Sequence, residues 1–224
     1  VLVVTGSSYL GAIREQPPEV LPENLLGEPQ GRDSLNAVAW PAAVLARRDP
    51  DAVVAQLTAD QLIEPVDAFV ASLNEAFAIA EEDAEALVTL GVVPTSPHTG
   101  YGYLERGPVL PGHPFACRVT EFKEKPNLAV AAQYVASGDY WWNAGMFVWR
   151  AATLLAQLEV LEPATHALVL ELAEHPDRVE ALFPTLRKTS VDYAIMALRT
   201  ARAAGAEADF ATRTHISRAL IDSD

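Results

Sequence analysis

The chain has 224 residues, 50% of them hydrophobic, which is enough to fill one α/β core, and a formal net charge of −14. That charge excludes nucleic acid and an anionic membrane surface as expected partners, since both need a basic face. One cysteine excludes disulfides within the chain; with no bilayer-length apolar run and no signal-like start, the expected location is the cytoplasm.

In chain order, Val1 to Thr5 reads as a strand, and the segment from Gly6 through Gly11 enters a helix. A dinucleotide fingerprint needs three glycines where two stand here, and none of the six tyrosines has a lysine four residues on. A plain strand, turn and helix is expected. Asn24 to Gly27 is a short strand. The turn Glu28, Pro29, Gln30, Gly31, Arg32 then leads into a helix capped by Asp33 or Ser34 and bent by Pro41. A glycine beside an arginine ahead of a helix can approach a base or a phosphate closely, and the same turn also serves simple structural ends.

Ala52 to Leu57 is a near-continuous apolar strand, the pattern of a parallel sheet covered on both faces. Asp60 follows its carboxyl end, where open α/β sheets place ligands. A carboxylate there suits Mg²⁺, which takes one or two carboxylates together with phosphate oxygens; a capping role is the alternative. Val66 to Glu82 is an amphipathic helix with Phe69, Leu73, Phe77 and Ile79 or Ala80 inward, and Ala86 to Gly91 is the next strand. Between Pro94 and Tyr103, two prolines and two alternating glycines rule out regular structure. Gly100 and Gly102 let backbone come close to a ring-shaped ligand, with Tyr101 and Tyr103 as walls. A hairpin turn is the plainer reading of this loop, and His98 reads as incidental to it.

The stretch from Val119 to Arg150 organises the rest. Cys117 and Val119 face one way, and Arg118, Thr120 and Phe122 the other, in a strand ended by Glu124, Lys125 and Pro126. Leu128 to Ser137 has helical spacing, with Leu128, Ala131, Ala132 and Val135 on one side and Gly138 as its stop. Asn143 follows two tryptophans and precedes a buried strand from Ala144 to Trp149. A carboxylate, an ammonium and a carboxamide at strand ends are the equipment for a sugar phosphate: the first and third bridge neighbouring hydroxyls, and lysine meets phosphate. Taken singly, each is also ordinary surface charge or a capped turn. Ala151 to Glu174 reads as two helices broken at Pro163, Val179 to Phe183 as a further helical turn, and Ser190 with Asp192 as a helix cap.

Together, the E-K-P segment, the following helix and W-N-A-G-M-F resemble the bacterial mannose-1-phosphate guanylyltransferases, among the sugar-phosphate nucleotidyltransferases. The likeness extends over most of Val1 to Met196: E-P-Q-G-R at Glu28 to Arg32, A-D at Ala59 and Asp60, P-T-S-P-H-T-G-Y-G-Y at Pro94 to Tyr103, and S-V-D-Y-A-I-M at Ser190 to Met196. It implies a Rossmann-like nucleotide-diphospho-sugar transferase fold in a single domain over 1–224, a mixed central sheet with helices on both faces. It implies the reaction of mannose 1-phosphate with GTP to give GDP-mannose and pyrophosphate, with Mg²⁺ as cofactor.

By the same resemblance, Asp60 and Lys125 are catalytic, with Asp60 the metal ligand. Gly100, Tyr101, Gly102, Glu124, Lys125 and Asn143 hold the sugar phosphate, and Glu28, Pro29, Gly31 and Arg32 the nucleotide. Asp33, Ser34 and Asn36 depart from the family's N, T and P in that turn, which bears on the choice of base. The family's G-G-x-G-T-R-L loop has no counterpart here, since no two of the twelve glycines are adjacent, and Ala211 to His215 stand where the family has D-x-G-x-W. The expectation is therefore an incomplete copy without its first strand, inactive by itself and open to self-association. A non-catalytic homologue that binds sugar phosphate, or a relative using another nucleotide or hexose phosphate, is the alternative.

Overall fold

The computed structural model describes residues 1–15, 20–197 and 214–218. Its strands are β1 (Val3–Gly6), β2 (Leu25–Glu28), β3 (Val53–Gln56), β4 (Leu87–Val92), β5 (Gly102–Leu110), β6 (His113–Glu124), β7 (Tyr140–Arg150) and β8 (Thr214–Arg218). Its helices are α1 (Leu10–Glu15), α2 (Ser34–Arg48), α3 (Val66–Glu82), α4 (Leu128–Ser137), α5 (Ala151–Leu161), α6 (Pro163–Glu174) and α7 (Val179–Leu182). The chain divides into two compact units, Val1–Ala52 with Leu154–Ile195, and Val53–Thr153 with Met196–Asp224. Of the expected departure from the family at Ala211 to His215, Ala211 to Arg213 lie outside the described residues, and Thr214 and His215 open β8.

In the first unit, β1 and β2 pair in parallel, from Val3 opposite Leu25 to Gly6 opposite Glu28. The expected strand, turn and helix follows β1, as a 3₁₀ turn at Ser7–Tyr9 and then α1. Gly27 is a glycine for lack of space: a Cβ there would meet Leu10 Cδ1 at 2.6 Å and Ser7 Cα at 3.2 Å. Asp33 caps α2 by accepting the Ser34 N–H at 2.8 Å, and the helix runs on through Pro41. Its inner face, with Leu35, Val38, Ala39, Trp40 and Ala43 buried, packs on α6, which buries Val169 and Leu172. The Trp40 and Phe183 rings meet at 5.5 Å and 57°. The break between the two acidic helices falls as expected, with Pro163 opening α6 where its missing N–H costs nothing.

The second unit is a mixed sheet with the order β3-β7-β4-β8-β6-β5 among the described residues, and β7 also pairs with β5. Parallel pairing occurs between β4 and β8; the other pairs of this sheet are antiparallel. One expectation needs correcting: β3 reads as a strand inside a parallel sheet, yet it pairs antiparallel with β7 and stands at the end of the strand order. An apolar run shows that a strand is covered; it does not show which way its neighbours run. Helix α3 covers one face, where Ala76, Ile79 and Ala80 join Val88, Leu90, Met146 and Val148 in one cluster, with Phe69, Leu73 and Phe77 packed against it.

One further detail departs from the sequence pattern. On α4, Ala131 is fully buried but Leu128 is 63% exposed and Ala132 is exposed, so the helix covers less than its apolar stripe suggests. Along β6, Cys117, Val119 and Phe122 are all buried, as expected of a strand with cover on both faces. The register opposite β5 shifts between Glu105 and Arg106, where β6 carries one extra residue between Val119 and Glu121.

Candidate active site

The second unit gathers the sugar-phosphate candidates through strand register. Gly102 opens β5 directly opposite Glu124 at the end of β6. On its other side β5 meets β7, with Tyr103 opposite Trp142 and Leu104 opposite Trp141, so Asn143 continues β7 beside Gly102. Glu124, Gly102 and Asn143 thus stand at the same end of three neighbouring strands.

Gly102 makes room for this arrangement. A Cβ there would lie 2.8 Å from Phe122 Cε2, 2.9 Å from Cζ and 3.0 Å from Glu124 Oε2. The expected reason for this glycine is access for a ligand ring; the contact it permits is the Glu124 carboxylate lying across the strand. Lys125 follows β6 with φ +44°, a conformation that side-chain-bearing residues rarely adopt and that is held here immediately before Pro126. Its ammonium meets Glu124 Oε1 at 2.8 Å, at a partly exposed position where such a pair stabilises little. The strained turn therefore presents charge at the strand end without much return in stability.

Asn143 owes its orientation to a bulge. Thr89 pairs with Phe147 and Gly91 with Asn143, so β7 carries two more residues than β4 between those pairs. Gly145 supplies the left-handed bend, with φ +69°. Inside it, Asn143 Oδ1 accepts the Thr89 hydroxyl at 2.8 Å and the Gly145 N–H at 3.2 Å. The side-chain oxygen is held inward, which makes the nitrogen the donating end of the amide. Thr89 is completely buried, and neither Thr89 nor Gly145 stands out in the sequence. The spacing W-N-A-G is the one available signal, because a glycine two residues after an asparagine in a strand marks a bulge.

Asp60 is exposed in the loop after β3. Its neighbour Gln61 donates Nε2 to the Ala144 carbonyl at 3.0 Å, which ties this loop to the bulge next to Asn143. Among the described residues, no cluster of three or more His, Cys, Asp or Glu side chains could hold a metal. Asp60 is a one-carboxylate donor, and Mg²⁺ accepts such a site when phosphate oxygens and water complete its shell. Two buried oxygens at the end of β3, Gln56 Oε1 and Thr58 Oγ1, have no hydrogen-bond partner, so this strand end is built for a polar neighbour.

The loop before β5 is more ordered than its sequence suggests. Gly100 donates its N–H to His98 Nδ1 at 3.0 Å, and the Tyr103 hydroxyl donates to the His98 carbonyl at 2.8 Å. The imidazole stacks on Tyr101 at 4.0 Å and 18°, and Trp142 meets Tyr101 edge-on at 5.1 Å.

In the first unit, Glu28 ends β2 and Pro29 to Arg32 form the following turn. Burial raises the Glu28 carboxyl above its ordinary pKa, and Oε1 is buried without a partner. Arg32 Nη2 donates to the Pro184 carbonyl, and Nε is buried without a partner. Asn36, fully buried, donates Nδ2 to the carbonyls of Arg32 at 2.7 Å and Arg187 at 2.8 Å. Leu35 N–H to Thr189 O at 3.2 Å and Val191 N–H to Ser34 Oγ at 3.0 Å complete the attachment. The turn is therefore pinned to the segment from Pro184 to Val191 by the same Ser34 and Asn36 that depart from the family's pattern. Ser190 accepts the Tyr193 N–H at 3.2 Å, the capping role expected of it.

The mixed sheet of the second unit thus brings a carboxylate, an oriented amide and a lysine to the ends of adjacent strands. Residues 8–186 match the nucleotidyl transferase model, and the chain belongs to that family. The chain is 42% identical over 212 residues to the mannose-1-phosphate guanylyltransferase of Escherichia coli K12, covering 87% of this chain and 43% of that protein. It thus spans less than half the length of that relative. Among solved structures, a mannose-1-phosphate geranyltransferase from Thermus thermophilus superposes with a TM-score of 0.78 at 27% identity, over 96% of this chain and 58% of that one. The mannose-6-phosphate isomerase of Helicobacter pylori superposes with a TM-score of 0.76 at 22% identity, over 100% of this chain and 84% of that one, a likeness of fold alone. No helix among the described residues is long and apolar enough to cross a membrane.

Proposed function

We propose that this chain carries the hexose-phosphate and base-binding parts of a mannose-1-phosphate guanylyltransferase. The reaction is mannose 1-phosphate plus GTP giving GDP-mannose and pyrophosphate. The observation that carries the reading is the register placing Glu124, Gly102 and Asn143 at one end of three adjacent strands, with Lys125 beside them. Glu124 accepts from neighbouring sugar hydroxyls, and the Asn143 amide nitrogen donates to a sugar oxygen. Lys125 exchanges its pairing with Glu124 for the sugar phosphate, holding that group as nucleophile. A phosphate oxygen forms the new bond to the α-phosphorus of GTP, and the bond to the β-phosphate breaks in line, releasing pyrophosphate. Asp60 offers one oxygen to Mg²⁺, whose contribution when bound is neutralisation of phosphate charge. Glu28, Pro29, Gly31 and Arg32 serve the base; a half-buried Glu28 carboxylate whose Oε1 lacks a partner is suited to N–H donors such as guanine's. The lone, buried Cys117 suits a reducing compartment, so the proposed setting is the cytoplasm.

The test is calorimetric titration of the chain with mannose 1-phosphate, glucose 1-phosphate and mannose 6-phosphate, each with and without GTP and Mg²⁺. Preference for mannose 1-phosphate, lost in Glu124→Gln and Asn143→Ala, is the expected result. Equal binding of all three sugars, or binding indifferent to both substitutions, would refute the reading.

A further inference from the structure

The loop between β4 and β5 is folded around one residue that the sequence marks as incidental. His98 makes four separate contacts. Its carbonyl accepts the hydroxyl of Tyr103, whose side chain is fully buried, at 2.8 Å. Its Nδ1 accepts the Gly100 N–H at 3.0 Å, its ring lies flat on Tyr101 at 4.0 Å, and its edge faces Trp142 at 6.4 Å and 78°. The imidazole also fills the space where Gly100 lacks a side chain: a Cβ there would be 2.9 Å from His98 Cε1 and 3.2 Å from Nδ1.

These contacts have a directional consequence. An Nδ1 that accepts a proton donor is unprotonated, so the neutral ring carries its hydrogen on Nε2. Gly100 is then held by its amide and Tyr101 by its ring face, while Tyr101 remains 45% exposed. Gly102, next in the chain, is the residue opposite Glu124. The loop therefore has its conformation set at His98 on one side and at the strand register on the other.

We propose that His98 is a positioning residue for hexose-phosphate binding, which fixes the Tyr101 ring and the Gly100 amide ahead of ligand arrival. This rests on the hexose-phosphate reading of the site. The imidazole occupies one face of Tyr101 and Trp142 meets the ring edge-on, and the part of Tyr101 that stays exposed is open to the apolar side of a sugar. It performs two tasks, stacking and accepting, that substitutions can separate. Asparagine at this position keeps an acceptor for the N–H two residues on and loses the stack. Phenylalanine keeps the stack and loses the acceptor.

The experiment compares the chain with its His98→Asn, His98→Phe and His98→Ala variants. Each is titrated with mannose 1-phosphate and separately with GTP, and folding is checked by thermal melting. The expected result is a loss of about tenfold in mannose 1-phosphate affinity for His98→Ala, with smaller losses for the other two and GTP affinity unchanged. On ligand-free protein, ¹⁵N NMR of the imidazole is expected to show the proton on Nε2. Wild-type affinity for mannose 1-phosphate in all three variants would overturn the proposal, as would a neutral ring protonated on Nδ1 or an equal loss of GTP affinity. If the unsubstituted chain binds no hexose phosphate, the reading of the site fails first and takes this role with it. That outcome is separate from a chain that binds sugar normally with or without His98.

Discussion

Thr89→Val tests whether the orientation of Asn143 is built into the core. The substitution keeps the branched shape at a completely buried position and removes one hydroxyl. That hydroxyl lies 2.8 Å from Asn143 Oδ1 and 3.2 Å from the Met146 carbonyl, and its single proton serves one acceptor at a time. Losing one net hydrogen bond and leaving a buried acceptor short costs about 1–2 kcal/mol. At a urea slope of about 2–3 kcal/mol/M, the unfolding midpoint is expected to fall by roughly 0.5 M. The amide keeps its bond from the Gly145 N–H, so it does not turn over completely. If both flips became equally populated, half the molecules would present the donating nitrogen wrongly, and mannose 1-phosphate affinity would fall about twofold. Loss of preorganisation extends this to about fivefold. Titration calorimetry beside urea unfolding reads both quantities, and an Asn143→Ala background completes the cycle, in which Thr89→Val should cost no further affinity. Unchanged stability would show that the Thr89 bond is not made. Unchanged affinity with lowered stability would show that the amide's orientation does not matter to the ligand.

Lys125→Ala is expected to weaken mannose 1-phosphate by about 1.5–3 kcal/mol, with GTP affinity and stability little changed, because its pair with Glu124 is partly exposed. Asp60→Asn is expected to lower the Mg²⁺-dependent part of ligand binding while leaving thermal unfolding unaltered; a Mg²⁺ titration that matches the unsubstituted chain would reduce Asp60 to a loop residue. Gly145→Ala places a side chain at φ +69° and should cost about 1–2 kcal/mol in chemical unfolding, besides displacing Asn143. For Glu28, burial raises the folded-state pKa, so the folded form holds its proton to higher pH than the unfolded form. Stability is therefore lost as pH rises from the ordinary carboxylate value through that raised value, and stays lower above it. Glu28→Gln should be more stable than the unsubstituted protein at pH 7 and equal to it well below pH 4.5, as read by urea unfolding at both. A gap independent of pH would assign the effect to something other than ionisation.

Much of this architecture can be read from local pattern. The bounds of α3 and α4, the left-handed stop at Gly138 and the break before Pro163 follow from helical periodicity, a permissive glycine and a proline without an N–H. Glu124, Lys125 and Asn143 are legible as chemistry because their neighbours E-K-P and W-N form a recognisable order. Pairing partners are another matter, since they are chosen between segments far apart in the chain. The apolar run of β3 is the same whether it meets a parallel or an antiparallel neighbour, and β8, the parallel neighbour of β4, carries no resemblance to mark it. The same separation hides the residues that aim the site: Thr89 acts on Asn143 from another strand, Gln61 reaches Ala144 from a loop, and Asn36 reaches Arg187 from a helix. His98 differs, because its partners Gly100, Tyr101 and Tyr103 are close in sequence. What made it unreadable there is that a stacked ring and a caught N–H depend on backbone angles that composition leaves open.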